Sequence, residues 1–301
     1  MHMTLKKLFI FSIVVLSIVA CILLGLSQLG RVLGKSWFPI ETDAAQYADP
    51  NFGMGNLGGV PVRIPLWFAE HVEYEGDPGF MGKREGPIPK RTMDSPLTSF
   101  DFNVRFPDMA GRTSPALWWD YEKYANLYWD GWYDSISPWM FVGVETGSRY
   151  YGIAGLERVL KYRLTFNPDL DPKREREYQK LPEDRWGLVA YATRFFDPES
   201  GNAYHWIASN TELYVNRSRD GRLNTYIACT NHYRKNVLRL TCTQSFSLEP
   251  RMKAEAHVSY PRYFLPYWKE IQRLTGDLIW SFRLDEAATT PSTGDPSSPA
   301  R

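Results

Sequence analysis

Serine and cysteine are the residues whose chemistry could be nucleophilic. Serine hydrolases often carry the nucleophile on a Gly-x-Ser-x-Gly elbow, and the 301-residue sequence contains no such elbow. No glycine-rich phosphate loop follows any strand that the sequence predicts. Cys229 and Cys242 are the only cysteines after residue 34. An even pair of cysteines is typical of a disulfide in an exported protein, so we predict no catalytic residue and no enzyme activity.

Histidine and acidic residues are the ones that could hold a metal ion. The histidines after residue 34 stand singly, without the His-x-x-x-His or Cys-x-x-Cys spacing that brings two ligands together. They are His71, His205, His232 and His257. The densest acidic cluster, Glu70 to Asp77, could bind Ca²⁺ or supply a carboxylate pair. On a strand, however, Glu73 and Glu75 would share the solvent face of a sheet, so we predict no metal and no cofactor.

Aromatic residues are concentrated between Trp118 and Trp139, where five Trp and four Tyr occur in 22 residues. Exposed rings can stack on sugars or anchor a protein interface. Ser114 and Pro115 predict the start of a helix that ends before Gly131. Residues at helical spacing predict its buried face: Leu117, Tyr121, Tyr124 and Tyr128. The rings off this stripe or beyond the helix are expected at the surface: Trp119, Trp129, Trp132 and Tyr133.

The amino-terminal segment predicts a membrane anchor. Residues 8–30 carry no charge, and residues 8–26 are almost wholly apolar, long enough to cross the roughly 30 Å hydrocarbon core as a helix. The apolar run continues past Cys21, which favours an uncleaved anchor over a cleaved export signal. Residues 18–21 also resemble a lipoprotein processing site with Cys21 as the acylated residue, although Ile22 is a poor match. The cysteine pair predicts that the chain after this anchor lies in an oxidising, exported compartment.

Composition excludes two classes of protein. With 44% hydrophobic and 23% charged residues the chain is globular, and its mean hydropathy of −0.38 excludes several membrane spans. Lys6, Lys7 and Arg31 are the only charged side chains in the first 34 residues, so the rest carries 32 basic and 34 acidic residues. Nucleic-acid binding needs clustered positive charge, and we therefore predict no nucleic-acid partner.

Alternation of apolar and polar residues predicts strands along most of the chain. The clearest is 99–106, in which Phe100, Phe102, Val104 and Phe106 share one face. A charged stretch at 172–181 predicts a short solvated helix. Further strands are predicted at 60–64, 72–75, 139–145, 186–195, 213–219 and 222–230.

Asp220-Gly221 predicts a hairpin between the last two of these strands. A two-residue loop would pair Tyr214 with Ile227. A three-residue loop with Gly221 in the left-handed region would pair Leu213 with Ile227 and place the aliphatic residues on one face. We predict the second register.

The carboxyl third predicts a meander followed by a helix. If Cys229 lies opposite Cys242, the strand that contains Cys242 keeps one apolar face. The disulfide and the alternation therefore agree on one register. A further strand alternates from Ala254 to Tyr260, and Pro266 is expected to open a helix with an apolar stripe. That stripe consists of Phe264, Trp268, Ile271, Leu274 or Thr275, Leu278 and Phe282.

These elements predict an α+β fold in which antiparallel sheets are each packed by a helix. The predicted regions are an anchor at 1–34, a tether at 35–56, an exported α+β domain at 57–284 and a disordered tail at 285–301. Because both 99–130 and the carboxyl third run from strands to a helix, we expect two related halves, 57–165 and 185–284.

An ordered set of segments resembles a family of bacterial envelope proteins encoded beside type VI secretion phospholipase effectors and regarded as their immunity proteins. The set spans residues 57–282. It comprises Gly58–Val62 with Ile64-Pro65 and Phe68-Ala69, Val72–Phe80, Arg105–Met109, Thr225–Ile227, Phe246–Pro250 and Leu265–Ile271.

The resemblance implies a non-enzymatic lipase inhibitor of the toxin–antitoxin kind, which binds a cognate lipase effector in the periplasm. It also implies that the anchor spans the bacterial inner membrane and that the domain at 57–284 is periplasmic. Two segments are our candidate contacts, because aromatic and arginine side chains dominate such interfaces. They contain Phe80, Lys83 and Arg84 in one loop, and Trp129, Trp132 and Tyr133 in the other. The alternatives are an envelope glycan-binding module that uses the exposed Trp and Tyr rings, and an envelope hydrolase.

Overall fold

The computed structural model describes residues 53–78, 82, 85–129, 137–165, 177–193, 211–230 and 240–284, apart from the side chains of 126–129. The predicted anchor, the predicted tail and nearly all of the predicted tether lie outside this part of the chain. Among the described helices, none has both the length and the apolar character needed to cross a bilayer.

Eleven strands and three α-helices form the described fold. The strands are β1 Met54–Leu57, β2 Val60–Arg63, β3 Glu70–Tyr74, β4 Leu97–Arg105, β5 Trp139–Thr146, β6 Tyr178–Lys180, β7 Val189–Thr193, β8 Thr211–Arg217, β9 Leu223–Thr230, β10 Thr241–Ser247 and β11 Ala254–Pro261. The α-helices are α1 Pro115–Trp129, α2 Gly155–Leu164 and α3 Trp268–Ser281. Short 3₁₀ helices span Leu66–Phe68, Gly147–Arg149 and Arg262–Tyr267.

Nine of the strands form one antiparallel sheet, in the order β3-β4-β5-β11-β10-β9-β8-β7-β6. The prediction of separate sheets was wrong. The two meanders join because β5 pairs with β11, so that Val142 lies opposite Val258 and Val144 lies opposite Ala256. These four side chains are buried, and the apolar face therefore continues across the junction. The remaining hairpin, β1-β2, is a separate two-stranded sheet.

One face of the large sheet, which we call the inner face, carries the main core. The alternation predicted for β4 is confirmed, since Phe100, Phe102 and Val104 are buried. Helix α3 packs on this face through Trp268, Ile271, Thr275 and Ile279, so Ile279 is buried where the sequence predicted Leu278. Pro266 does not open α3 but lies inside the preceding 3₁₀ helix.

The opposite face, which we call the outer face, is covered at its two ends by α1 and α2. Helix α1 starts where predicted, because the Leu117 N–H donates to Ser114 Oγ at 3.3 Å. Asp120 accepts a hydrogen bond from Trp139 Nε1 at 3.0 Å, which joins the helix to β5. Up to Ala125, no α1 side chain is fully buried, so the predicted buried stripe is only half-buried.

Helix α2 was not predicted, and it covers the outer face of β8 and β9. Leu156 and Leu160 form a second, smaller core with Leu213, Val215 and Tyr226. The sequence predicted a helix at 172–181. For the described residues this prediction was wrong, because Tyr178–Lys180 forms the edge strand β6. β6 pairs with β7. The spacing of charged residues within one segment does not show that the segment has a partner strand further along the chain.

The β8–β9 hairpin has the predicted turn and a different strand register. Gly221 is left-handed with φ 84°, as expected for a three-residue loop. A register shift between Asn216 and Arg217 then pairs Tyr214 with Ile227, so the predicted Leu213–Ile227 pairing was wrong. Our prediction assumed one buried face, whereas α2 and the main core together bury both faces of β8.

The predicted disulfide is confirmed. Cys229 and Cys242 are joined and lie directly opposite each other on β9 and β10, with 4.0 Å between their Cα atoms. Ile227 lies opposite Gln244 in the same register. The strand predicted at 186–195 begins only at Val189, because Trp186 and Gly187 form the preceding turn with φ values of 54° and 75°.

Candidate functional site

The predicted contact residues lie almost entirely outside the described residues. This holds for Phe80, Lys83, Arg84, Trp132 and Tyr133. Trp129 is the last residue of α1, and its side chain is also outside the described part. Their role in binding stays a prediction.

An ion pair and a cation–π contact close the base of the loop that contains Phe80. Arg91 donates to both carboxylate oxygens of Asp77, at 2.6 and 2.8 Å, and its guanidinium lies 4.0 Å from the centre of the Tyr74 ring. The Tyr74 hydroxyl donates to the Met54 carbonyl at 2.8 Å. The two ends of the loop are therefore held together next to the hairpin β1-β2.

The acidic cluster of β3 forms ion pairs with arginines. Glu70 pairs with Arg112, and Glu73 pairs with Arg149 and also accepts from Ser99. Within the described parts of the chain, no group of three or more histidine, cysteine or acidic side chains is placed to hold a metal ion. The carboxylates of β3 thus serve to fix arginines on the outer face.

A polar cluster in the middle of the outer face contains the residue types of a serine hydrolase. Ser245 Oγ lies 2.8 Å from Nδ1 of His257, across the β10–β11 pair. Nε2 of the same histidine lies 3.5 Å from Glu145 and 3.6 Å from Glu255. Sequence reasoning missed this cluster because the pairing of β5 with β11, which brings Glu145 beside His257, was not predicted.

The protonation of this cluster is shifted by its own charges. Burial opposes the imidazolium of His257, but the hydrogen bond and charge of Glu145 and the charge of Glu255 outweigh it and raise the pKa. Burial raises the pKa of Glu255, while the hydrogen bond from His257 lowers the pKa of Glu145. A histidine with a raised pKa carries a proton more often and is a poorer general base.

The described surroundings of Ser245 also differ from those of a nucleophile. It lies inside β10, between Tyr226 on β9 and His257 on β11. Strand N–H groups in a paired sheet point along the ladder, whereas an oxyanion hole needs N–H donors aimed above the nucleophile. The cluster is therefore better understood as a charge network that holds three strands together.

Several aromatic side chains are exposed at the outer face. Trp119 on α1 is 71% exposed, as the sequence predicted, and Trp118 next to it is also exposed. Phe141 on β5 is 43% exposed. Large aromatic rings that are exposed on a solvent-facing surface are typical of contact surfaces.

A cleft opens between α3 and the turn that joins β10 to β11, and we call it the α3 cleft. Residues 246–252 line one side, and residues 272–280 of α3 line the other. Its volume is about 250 Å³. The side near the core is apolar, with Leu248, Met252 and Trp280, and the segment 246–250 is one of those that carry the family resemblance.

Charged side chains surround the α3 cleft. Arg251 Nη1 lies 3.0 Å from Asp277, and Arg273 Nη1 lies 3.4 Å from the other oxygen of the same carboxylate. Glu249 accepts from the hydroxyl of Tyr150 at 2.8 Å, and burial raises the pKa of Tyr150 to about 12. The tyrosine therefore stays a proton donor at neutral pH.

The wall formed by Trp280 is held by cations. The guanidinium groups of Arg251 and Arg283 lie 5.7 and 5.0 Å from the centre of its ring, within the range of cation–π contact. Sequence reasoning missed the cleft. Its one sequence signal is Gly276, a glycine in the interior of an amphipathic helix.

No protein family and no curated protein matches the sequence of this chain. Among solved structures, the chain is similar to Smlt3025, an immunity protein of the Stenotrophomonas maltophilia type IV secretion system, with 17% identity and a TM-score of 0.46 over 76% of this chain and 92% of that one. It is also similar to FrpD, the iron-regulated outer membrane lipoprotein of Neisseria meningitidis, with 12% identity and a TM-score of 0.38 over 76% and 91%. These values assign no role to any residue here.

Proposed function

We propose that this chain is an immunity protein that binds and neutralises a type VI secretion phospholipase effector in the periplasm. The observation that carries the proposal is the α3 cleft, an open cleft with an apolar wall and a charged rim. Apolar pockets inside a polar rim are typical of protein–protein contact sites. The cleft is lined in part by 246–250, one of the segments that resemble the immunity family.

The proposed attachment is a single membrane-spanning anchor at residues 1–34, with the domain in the periplasm. The disulfide between Cys229 and Cys242 supports an oxidising compartment, because such bonds persist mainly in exported proteins. Cleavage of the segment, or acylation at Cys21, are the two alternatives.

Neutralisation of a toxin requires tight binding, and a Kd of about 1 nM corresponds to about −12.3 kcal/mol. The test is to direct the lipase encoded beside this gene to the periplasm of a bacterial host, with and without co-expression of the full chain. We expect the chain to restore growth and to co-purify with the lipase.

The control for toxicity is the same lipase with its catalytic nucleophile substituted. This inactive lipase should not harm cells, whether or not the chain is co-expressed. If the active lipase kills cells equally with and without the chain, and no complex is recovered, the proposed function is wrong.

A further inference from the structure

We infer that the α3 cleft receives one uncharged apolar side chain of the bound effector. This inference rests on the proposed function and adds the binding site and the chemistry of its occupant. The cleft lies on the side of the molecule formed by α3 and the β10–β11 turn.

The size of the cleft suits a side chain better than a free ligand. Its volume of about 250 Å³ is below the roughly 300–1,000 Å³ that is usual for sites that enclose small molecules. One aromatic or long aliphatic side chain fits within it. The apolar wall of Leu248 and Trp280 would remove that side chain from water.

The charges around the cleft favour an uncharged occupant. Two cations, Arg251 and Arg273, face two anions, Asp277 and Glu249. Because Asp277 already accepts from both arginines, and Glu249 accepts from Tyr150, the lining is balanced. A charged side chain pushed into this cleft would lack a counter-charge, which is unfavourable once water is excluded.

Gly276 is the feature that keeps the cleft open. Glycine is the least favourable residue in a helix interior apart from proline, so its presence here needs a reason. Packing does not supply that reason, because a Cβ at position 276 would meet only Leu248 Cδ2, at an ordinary distance of 3.9 Å. At Gly111, by contrast, a Cβ would lie 2.8 Å from the Phe68 ring. A larger side chain at 276 would instead occupy the cleft.

The experiment compares the full chain in detergent with its variants Gly276→Leu and Gly276→Ala, and measures the Kd for the inactive lipase encoded beside the gene. We expect Gly276→Leu to weaken binding at least about 30-fold, the size of effect seen when an interface hot spot is lost. Gly276→Ala should change the Kd less than about threefold, because one methyl group leaves most of the cleft open.

Both variants should keep the thermal midpoint of the parent or raise it, since either residue favours the helix more than glycine. Should Gly276→Leu lower the midpoint, Gly276→Met, with its flexible unbranched side chain, replaces it in the comparison. Equal affinity of the parent and the cleft-filling variant would overturn the inference and leave the proposed function standing. Failure of the parent chain to bind the lipase would overturn both.

Discussion

The two faces of the large sheet differ in how they are covered. The inner face is packed by α3 and the hairpin β1-β2 along most strands, and it carries continuous apolar side chains from β4 through β11. Among the residues that the structure describes, α1 and α2 pack on the two ends of the outer face, and its middle is a charge network around His257. Apolar packing therefore dominates the inner face, whereas the outer face combines a small apolar core under α2 with ion pairs in its middle.

This difference predicts that the same residue type should matter unequally on the two faces. Phe102 is fully buried on the inner face and contacts Phe68, Phe100 and Phe282, with ring centres 5.5 to 6.1 Å apart. We expect Phe102→Ala to lower the free energy of unfolding by about 4 kcal/mol in chemical denaturation, because a large cavity forms in the core.

The matched control is Phe141→Ala on the outer face, where the side chain is 43% exposed and less packing is lost. It should cost less than about 1 kcal/mol. Similar losses for the two variants would show that the outer face is packed as tightly as the inner one.

A second prediction concerns the covered end of the outer face. Leu160 of α2 is buried against the side chains of β8 and β9. We expect Leu160→Ala to lower the free energy of unfolding by about 2–3 kcal/mol, less than the loss at Phe102, because the second core is small.

Val159 on the same helix is 44% exposed and gives the comparison, with an expected change of at most about 0.5 kcal/mol for Val159→Ala. If the two α2 variants behave alike, the helix does not pack on the sheet as described.

The smallest expected effect concerns the charge network in the middle of the outer face. The pKa of His257 is raised in the fold, so its cation stabilises the folded state below its ordinary pKa of about 6.5 and this contribution is lost as the pH rises through the raised pKa. The substitution His257→Gln should lower the free energy of unfolding by up to about 1 kcal/mol at pH 5.5, and by less at pH 8.5.

The measurement is urea unfolding of both proteins at the two pH values. At pH 5.5 the variant leaves Glu145 and Glu255 facing each other without the cation. A cost that is constant across this range, or larger at pH 8.5, would contradict the charge network. Ser245→Ala should change the pH dependence little, because its hydroxyl carries no charge.

Much of the fold followed from local patterns. The strict alternation of 99–106 and 254–260 predicted which side chains of β4 and β11 are buried, because each strand has one covered face. The cap at Ser114 and the disulfide register were also predicted correctly. The register of β8 was not, because α2 covers the second face of that strand and removes the contrast on which the prediction depended.

The candidate site was much less predictable. The cluster of Ser245, Glu145 and His257 needs three strands in a certain order, and two of those strands belong to different meanders. The α3 cleft needs the β10–β11 turn to lie beside Gly276. Neither arrangement leaves a periodic pattern in the sequence, because each depends on residues far apart in the chain.

The sequence by itself determined the α+β class, the alternation of the main strands, the start of α1 and the pairing of the two cysteines. These depend on neighbouring residues, on one cap or on one covalent bond. Only the tertiary structure decided that the two meanders form one sheet, that α2 covers the outer face of β8, and that a cleft opens beside α3. These three features depend on which apolar surfaces pack against each other and exclude water. The surfaces belong to segments that are far apart in the chain, so no local pattern predicts their contact.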